Sequence, residues 1–164
     1  INVRVPVILF DLPGKSDQPR NALAERALEH LKKINPAPLA QSQQTELIEV
    51  ANFEDDLNKL LDADLIIEAI AERMDWKHAL YEKVAPHIAP HTIFATNTSG
   101  LSITDLADGL QEDLRSRFCG VHFFNPPRYM HLVELIPTVS TQAQILDQLE
   151  GFLVTTLEIG RAHV

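Results

Sequence analysis

Apolar residues along this chain fall into short continuous runs separated by stretches of helical periodicity. Residues 5–10 form the first run, of the kind expected for a strand buried on both faces of a parallel sheet. Asp11 closes it, and Leu12-Pro13-Gly14 is turn chemistry. Over residues 21–34, Leu23, Ala27, Leu28, Leu31 and Ile34 share one stripe and predict an amphipathic helix, stopped by Asn35-Pro36-Ala37-Pro38. A short strand at 47–51 comes next, then a helix through Phe53, Leu57, Leu60 and Leu61 with Asn52 as its cap. Residues 65–70 predict a buried strand. Residues 75–85 predict a helix with Trp76, Leu80, Tyr81 and Val84 at helical spacing. A strand at 92–95 runs into Asn97-Thr98-Ser99-Gly100, and Ser102 caps a short helix over 102–110 with Asp105 in its first turn. Thr141-Gln142-Ala143-Gln144 reads as a capping box opening a last helix through Ile145, Leu149, Phe152 and Leu153. Strands alternating with helices define an α/β layered fold with a mainly parallel sheet.

The stretch 119–137 breaks this rhythm. Two apolar strands, 118–124 and 131–136, flank a turn built on Pro126 and Pro127. Each carries one polar group that the run does not explain, His122 in the first and Glu134 in the second. A carboxylate buried beside Leu132, Val133, Leu135 and Ile136 is costly unless paired, and His122 is the obvious partner. A paired carboxylate holds the imidazole tautomer and supports the protonated ring, which suits a general base. The bland alternative is a pair that only ties two strands together.

In open α/β sheets ligands bind at the carboxyl ends of the strands. That rule selects Asp11, Glu72, Asn97, Ser99 and Asn125, and predicts that they gather along one sheet edge. Asp11 suits the ribose hydroxyls of an adenosine, and is equally an ordinary strand-ending turn residue. Glu72 and Lys77 flank a helix entrance, where solvated charges are the rule. Asn97-Thr98-Ser99-Gly100 serves as well to cap the next helix as to bind a ligand. Glycines stand at 14, 100, 109, 120, 151 and 160, and no spacing among them makes G-x-G-x-x-G.

Composition adds mainly exclusions. The 164 residues suffice for one domain, and a formal charge of −9 argues against a broad nucleic-acid-binding face. Cys119 is the one cysteine, so no disulfide framework exists and a reducing compartment is expected. No apolar run is long enough for a membrane-spanning helix. His87 and His91 have a metal-binding spacing, but Pro86 and Pro90 break the helix it needs, so no metal site is expected.

Taken together, Phe10-Asp11-Leu12-Pro13, Ile67-Glu68-Ala69-Ile70-Ala71-Glu72 with Lys77, Phe94-Ala95-Thr96-Asn97-Thr98-Ser99, and Gly120-Val121-His122-Phe123-Phe124-Asn125-Pro126 with Leu132-Val133-Glu134 resemble the NAD-binding domain of L-3-hydroxyacyl-CoA dehydrogenases. The resemblance covers about residues 5–157, and its Asn-Pro-Pro-Arg-Tyr-Met-His form is similar to the dehydrogenase part of bacterial multifunctional β-oxidation proteins. It implies a Rossmann-like doubly wound, mainly parallel sheet, here without its first strand and glycine-rich loop. It implies a cytoplasmic oxidoreductase that uses NAD to oxidise (S)-3-hydroxyacyl-CoA to 3-oxoacyl-CoA. His122, Glu134 and Ser99 would then be catalytic. Asp11, Glu72, Lys77, Asn97, Ser99 and Asn125 would line the cofactor site. It implies a homo-oligomer or a fusion to an enoyl-CoA hydratase region, with the missing first strand upstream of Ile1. Residues 158–164, which a sequencing adapter read in frame would encode, are expected to be a non-native tail. Without the first strand, a broken sheet, weak NAD binding and negligible turnover are expected. A non-catalytic nucleotide-binding domain and a dehydrogenase of 3-hydroxyacids without CoA are the other readings these residues leave open.

Overall fold

The computed structural model of the chain describes residues 2–163. It forms two compact units that divide between Asn58 and Lys59. In the first, β1 (Val7–Asp11) pairs in parallel with β2 (Ile48–Asn52), from Val7 opposite Ile48 to Asp11 opposite Asn52. Helix α1 (Ala22–Lys33) connects them and ends just before Asn35-Pro36, where a helix can no longer continue.

The helix expected through Phe53–Leu61 is instead a turn followed by a short 3-10 helix, Leu57–Asp62. Buried Asn52 is the reason. Its Oδ1 accepts from the amides of Glu54 and Asp55 at 2.9 Å each, and Asp56 accepts from the Asn52 amide at 3.0 Å. Local side-chain acceptors outcompete the helical ladder at Asn and Asp.

The second unit holds a five-stranded sheet in the order β3 (Leu65–Glu68), β4 (Ile93–Thr96), β5 (Phe118–Phe123), β6 (Leu132–Pro137), β7 (Gly160–His163). β3, β4 and β5 are parallel, β6 is antiparallel to β5, and β7 runs parallel to β6. Helices α2 (Met74–Val84), α3 (Ile103–Asp108), α4 (Glu112–Arg115) and α5 (Ala143–Gly151) surround it. All four residues of β4 are buried, because both its faces are covered. On one side Phe94 packs with Tyr81 and Phe118, ring centroids 5.0 and 5.4 Å away. On the other, Ala95, Cys119, Val121, Val133 and Leu135 meet Ile145, Leu149 and Leu153. Burial pushes the Cys119 thiol up to about 12, so it serves as a packing group.

Three further features differ from the sequence pattern. Trp76 is exposed, with the Arg73 guanidinium 4.6 Å over its ring, rather than buried on the apolar stripe of α2. The capping box at Thr141 does not form. Its hydroxyl donates to the Phe118 carbonyl at 2.7 Å, and α5 starts after Gln142 without a side-chain cap. Gly160–His163, lying in a stretch without periodicity, pairs along β6 as β7, since an open strand edge accepts any backbone that presents its amides and carbonyls. The sheet is broken, as expected without the first strand: β1 and β2 form a sheet of their own, and no strand among the described residues joins β1 to β3. The residues expected on one sheet edge therefore belong to two sheets, Asp11 to the first and the remainder to the second. No helix among the described residues is long and apolar enough to cross a membrane.

Gly120 sits where β5 runs closest to its neighbours: a Cβ there would lie 3.0 Å from Ile136 Cβ and 3.2 Å from Ile103 Cγ1. Gly120→Val should therefore overpack the sheet and lower stability by about 1–3 kcal/mol. Urea denaturation followed by circular dichroism measures this, and an unchanged midpoint would contradict the close approach.

Candidate active site

Antiparallel pairing sets His122 directly opposite Glu134. Side chains alternate along both strands, so Val121, Val133 and Leu135 enter the core while His122 and Glu134 leave by the other face. Their side chains are 20% and 27% exposed, so Glu134 is part-buried beside Leu132 and Ile136 rather than enclosed by the core. Glu134 Oε2 lies 2.7 Å from His122 Nδ1. An ionised carboxylate can only accept, which assigns the ring proton to Nδ1 and leaves Nε2 as the working nitrogen. Ser99 Oγ stands 3.0 Å from that Nε2.

Ser99 reaches His122 from the loop after β4. The Asn97 amide donates to the Glu68 carbonyl at 2.7 Å, and Asn97 Oδ1 accepts from the Phe123 amide at 2.9 Å. The loop is thus tied to the strand on each side. Ser102, not Ser99, caps α3 by accepting from the Asp105 amide, which leaves the Ser99 hydroxyl to His122. The amides of Ser99 and Gly100 donate to Glu72 at 2.6 and 3.0 Å. These backbone donors, Ser99's above all, hold the Glu72 carboxyl below its usual range. A Cβ at Gly100 would lie 2.8 Å from Glu72 Oε2, so a larger residue there would shift the Glu72 carboxylate.

The other expected residues are placed differently. Lys77 is buried, with Nζ 2.6 and 2.8 Å from the two Glu68 oxygens and 3.3 Å from the Ile70 carbonyl, so its ammonium faces protein rather than solvent. Asn125 lies exposed at the start of the turn between β5 and β6. Asp11, in the first unit, ends β1 partly exposed, with Oδ1 accepting from the Leu12 amide at 2.7 Å. Glu68 was not selected from sequence, although it carries the signal that marked Glu134: a carboxylate within an apolar run.

A hydrogen-bonded line of serine, histidine and glutamate can serve two chemistries. Serine acyl transfer needs amide donors for an oxyanion. The amides of Ser99 and Gly100 are turned to the Glu72 carboxylate, whose charge opposes a second anion there. Proton transfer at Nε2 needs no such hole, and the geometry suits it.

A mainly parallel α/β sheet bearing a carboxylate-oriented histidine near its strand ends has the build of a dinucleotide-dependent dehydrogenase domain. The chain belongs to the 3-hydroxyacyl-CoA dehydrogenase family: residues 2–162 match the family described as "3-hydroxyacyl-CoA dehydrogenase, NAD binding domain". A Deinococcus radiodurans protein named as a 3-hydroxyacyl-CoA dehydrogenase is 44% identical over 97% of this chain and 46% of its own length. A Rickettsia felis protein named as a fatty acid oxidation complex trifunctional enzyme is 39% identical over 92% of this chain and 21% of its own. The crystal structure of 3-hydroxybutyryl-CoA dehydrogenase from Escherichia coli superposes with a TM-score of 0.79 at 27% identity, covering 99% of this chain and 34% of that one. The fold is Rossmann-like, and the chain spans less than half the length of the curated relatives named here.

Because Glu72 is held ionised by the Ser99 and Gly100 amides, its support of the turn is present above the ordinary glutamate value of 4.5 and is lost as pH falls through the lowered native value. The side-chain carboxyl 13C resonance of Glu72 should titrate with a midpoint below 4.5. A midpoint at or above 4.5 would contradict the hold of the two amides on this carboxylate.

Proposed function

We propose that this chain is the NAD-binding and proton-transferring part of an oxidoreductase of fatty-acid β-oxidation, which converts (S)-3-hydroxyacyl-CoA to 3-oxoacyl-CoA. The observation that carries the reading is the line from Ser99 Oγ through His122 to Glu134, with contacts of 3.0 and 2.7 Å. Bound NAD supplies the hydride acceptor. His122 Nε2 takes the proton of the substrate's 3-hydroxyl as hydride leaves C3, and returns it in the reverse direction. Glu134 keeps the Nδ1 proton in place and stabilises the imidazolium that forms. Ser99 holds the substrate oxygen beside Nε2, and Asn97 keeps the loop in register with β5.

The residues present fit the cofactor in part. Asp11, partly exposed at the end of β1, supplies an acceptor for the adenosine ribose hydroxyls and disfavours a 2′-phosphate. On this reading Ser99, Asn97 and Asn125 line the nicotinamide side. Glu72 supports that side through the Ser99 amide, and Lys77 through Glu68. No glycine spacing in the sequence makes a pyrophosphate loop. The 164 residues alone are accordingly expected to bind NADH weakly and to turn over poorly. The trifunctional name of the Rickettsia felis relative supports a polypeptide that carries further activities. On this reading an enoyl-CoA hydratase region is one of them, or the protein works as a homo-oligomer, and its compartment is the cytoplasm.

In the full-length protein, His122→Gln should lower the rate of acetoacetyl-CoA reduction by NADH about 10²–10⁴-fold while NADH affinity persists. Turnover unchanged by the substitution would defeat His122 as the proton-transferring residue, and NADH binding without turnover in the unsubstituted protein would leave a non-catalytic nucleotide-binding domain. The isolated chain in the same assay should show negligible NADH oxidation, and a rate near that of the full-length protein would contradict the weak-binding expectation.

A further inference from the structure

Beneath the Ser99 loop lies a buried polar cluster that takes no part in the proton transfer itself. Glu68, at the end of β3, is 5% exposed, yet its two oxygens accept at least five hydrogen bonds. Oε1 accepts from the Ile70 amide and Lys77 Nζ, both at 2.6 Å. Oε2 accepts from Lys77 Nζ at 2.8 Å, the Tyr81 hydroxyl at 2.8 Å and Thr96 Oγ1 at 2.7 Å. Burial first, and then the charge of Glu68, push the Tyr81 hydroxyl well above its ordinary range, so it stays a donor.

The proton directions follow from these partners. Lys77 is only a donor, and a carboxylate only accepts. Thr96 therefore gives its hydroxyl proton to Glu68 and retains only acceptor capacity. Thr98 Oγ1, 2.6 Å away, must then donate to Thr96. Thr98 is 2% exposed and sits between the two residues that touch β5: Asn97, bonded to the Phe123 amide, and Ser99, bonded to His122. The Glu68 main chain holds the same loop, since its carbonyl accepts from the Asn97 amide. A single buried carboxylate thus gathers the start of α2, the end of β4 and the loop that carries Ser99.

We propose that Glu68 and Thr98 are positioning residues that act through Ser99: the chain Glu68–Thr96–Thr98 fixes the loop rotation that sets Ser99 Oγ against His122 Nε2. Lys77 and Tyr81 keep the carboxylate charged and oriented in place of solvent. For catalysis, this rests on the proton-transfer reading above; the geometry stands without it.

Thr98→Val in the full-length protein keeps the side-chain shape and removes only the hydroxyl, leaving the Glu68–Lys77 pair intact. With 15N-labelled histidine, Ser99→Ala marks the His122 Nε2 resonance by removing its partner. Thr98→Val should shift that resonance in the same direction, and Thr98→Ser should return it to the wild-type position. Thr98→Ala, which adds no bulk, is the second variant and carries the same expectation. A wild-type His122 signal in both hydroxyl-less variants overturns the proposal. This readout needs no turnover, so a Thr98-dependent signal in an inactive protein would count against the reaction and in favour of the device.

In the assay, Thr98→Val should lower kcat about tenfold at unchanged KM for NADH, the cost of a small misplacement. On a Ser99→Ala background it should cost nothing further, because the two changes break one connection. Independent, multiplying losses would show that Thr98 acts other than through Ser99, and would overturn the assignment.

Discussion

The antiparallel register of β5 against β6 is the constraint on which the site depends. It sets His122 opposite Glu134, and alternation sends both side chains away from the core that Val121, Val133 and Leu135 fill. A slip of one residue would turn Glu134 into the apolar layer and Val133 out of it. The same packing that stabilises the sheet therefore opposes the one-residue slip that would part imidazole and carboxylate. Core packing and proton chemistry are not separate designs here; the first enforces the second.

The second constraint is electrostatic and lies in the loop after β4. Two carboxylates hold that loop from different sides. Glu72 takes its amides at the surface, and Glu68 takes its hydroxyl chain from within. By occupying the Ser99 and Gly100 amides, Glu72 also denies the serine an oxyanion hole. A serine–histidine–glutamate line thereby sits in a setting that suits proton transfer and not acyl transfer. On the proposed reading, this separates a dehydrogenase acting on a thioester from an enzyme that would hydrolyse it.

Much of this was legible in the residues because polar groups in apolar strands require partners. His122 and Glu134 stand out for that reason, and the α/β alternation follows from the spacing of the apolar runs. Glu68 offers the same signal, but its partners Lys77, Tyr81 and Thr96 are 9, 13 and 28 residues away, and only the fold brings them together. Lys77 looks like a surface charge at a helix entrance and is instead a buried counter-ion. Sequence could not say which, because a one-position rotation of α2 would reverse its environment. The turn after Asn52 and the unformed box at Thr141 share a cause: short polar side chains bond to whichever backbone group is nearest. At Thr141 that group is the Phe118 carbonyl, which belongs to a distant strand.

The central claim is that Ser99, His122 and Glu134 move a proton while hydride leaves the substrate. Presenting the full-length protein with NAD and a 3-hydroxyacyl-CoA carrying deuterium at C3 tests it most directly. The account predicts one deuterium in reduced NAD for each 3-oxoacyl-CoA formed, with the thioester intact. Free thiol released without reduction of NAD would contradict it, and would reassign the same three residues to hydrolysis.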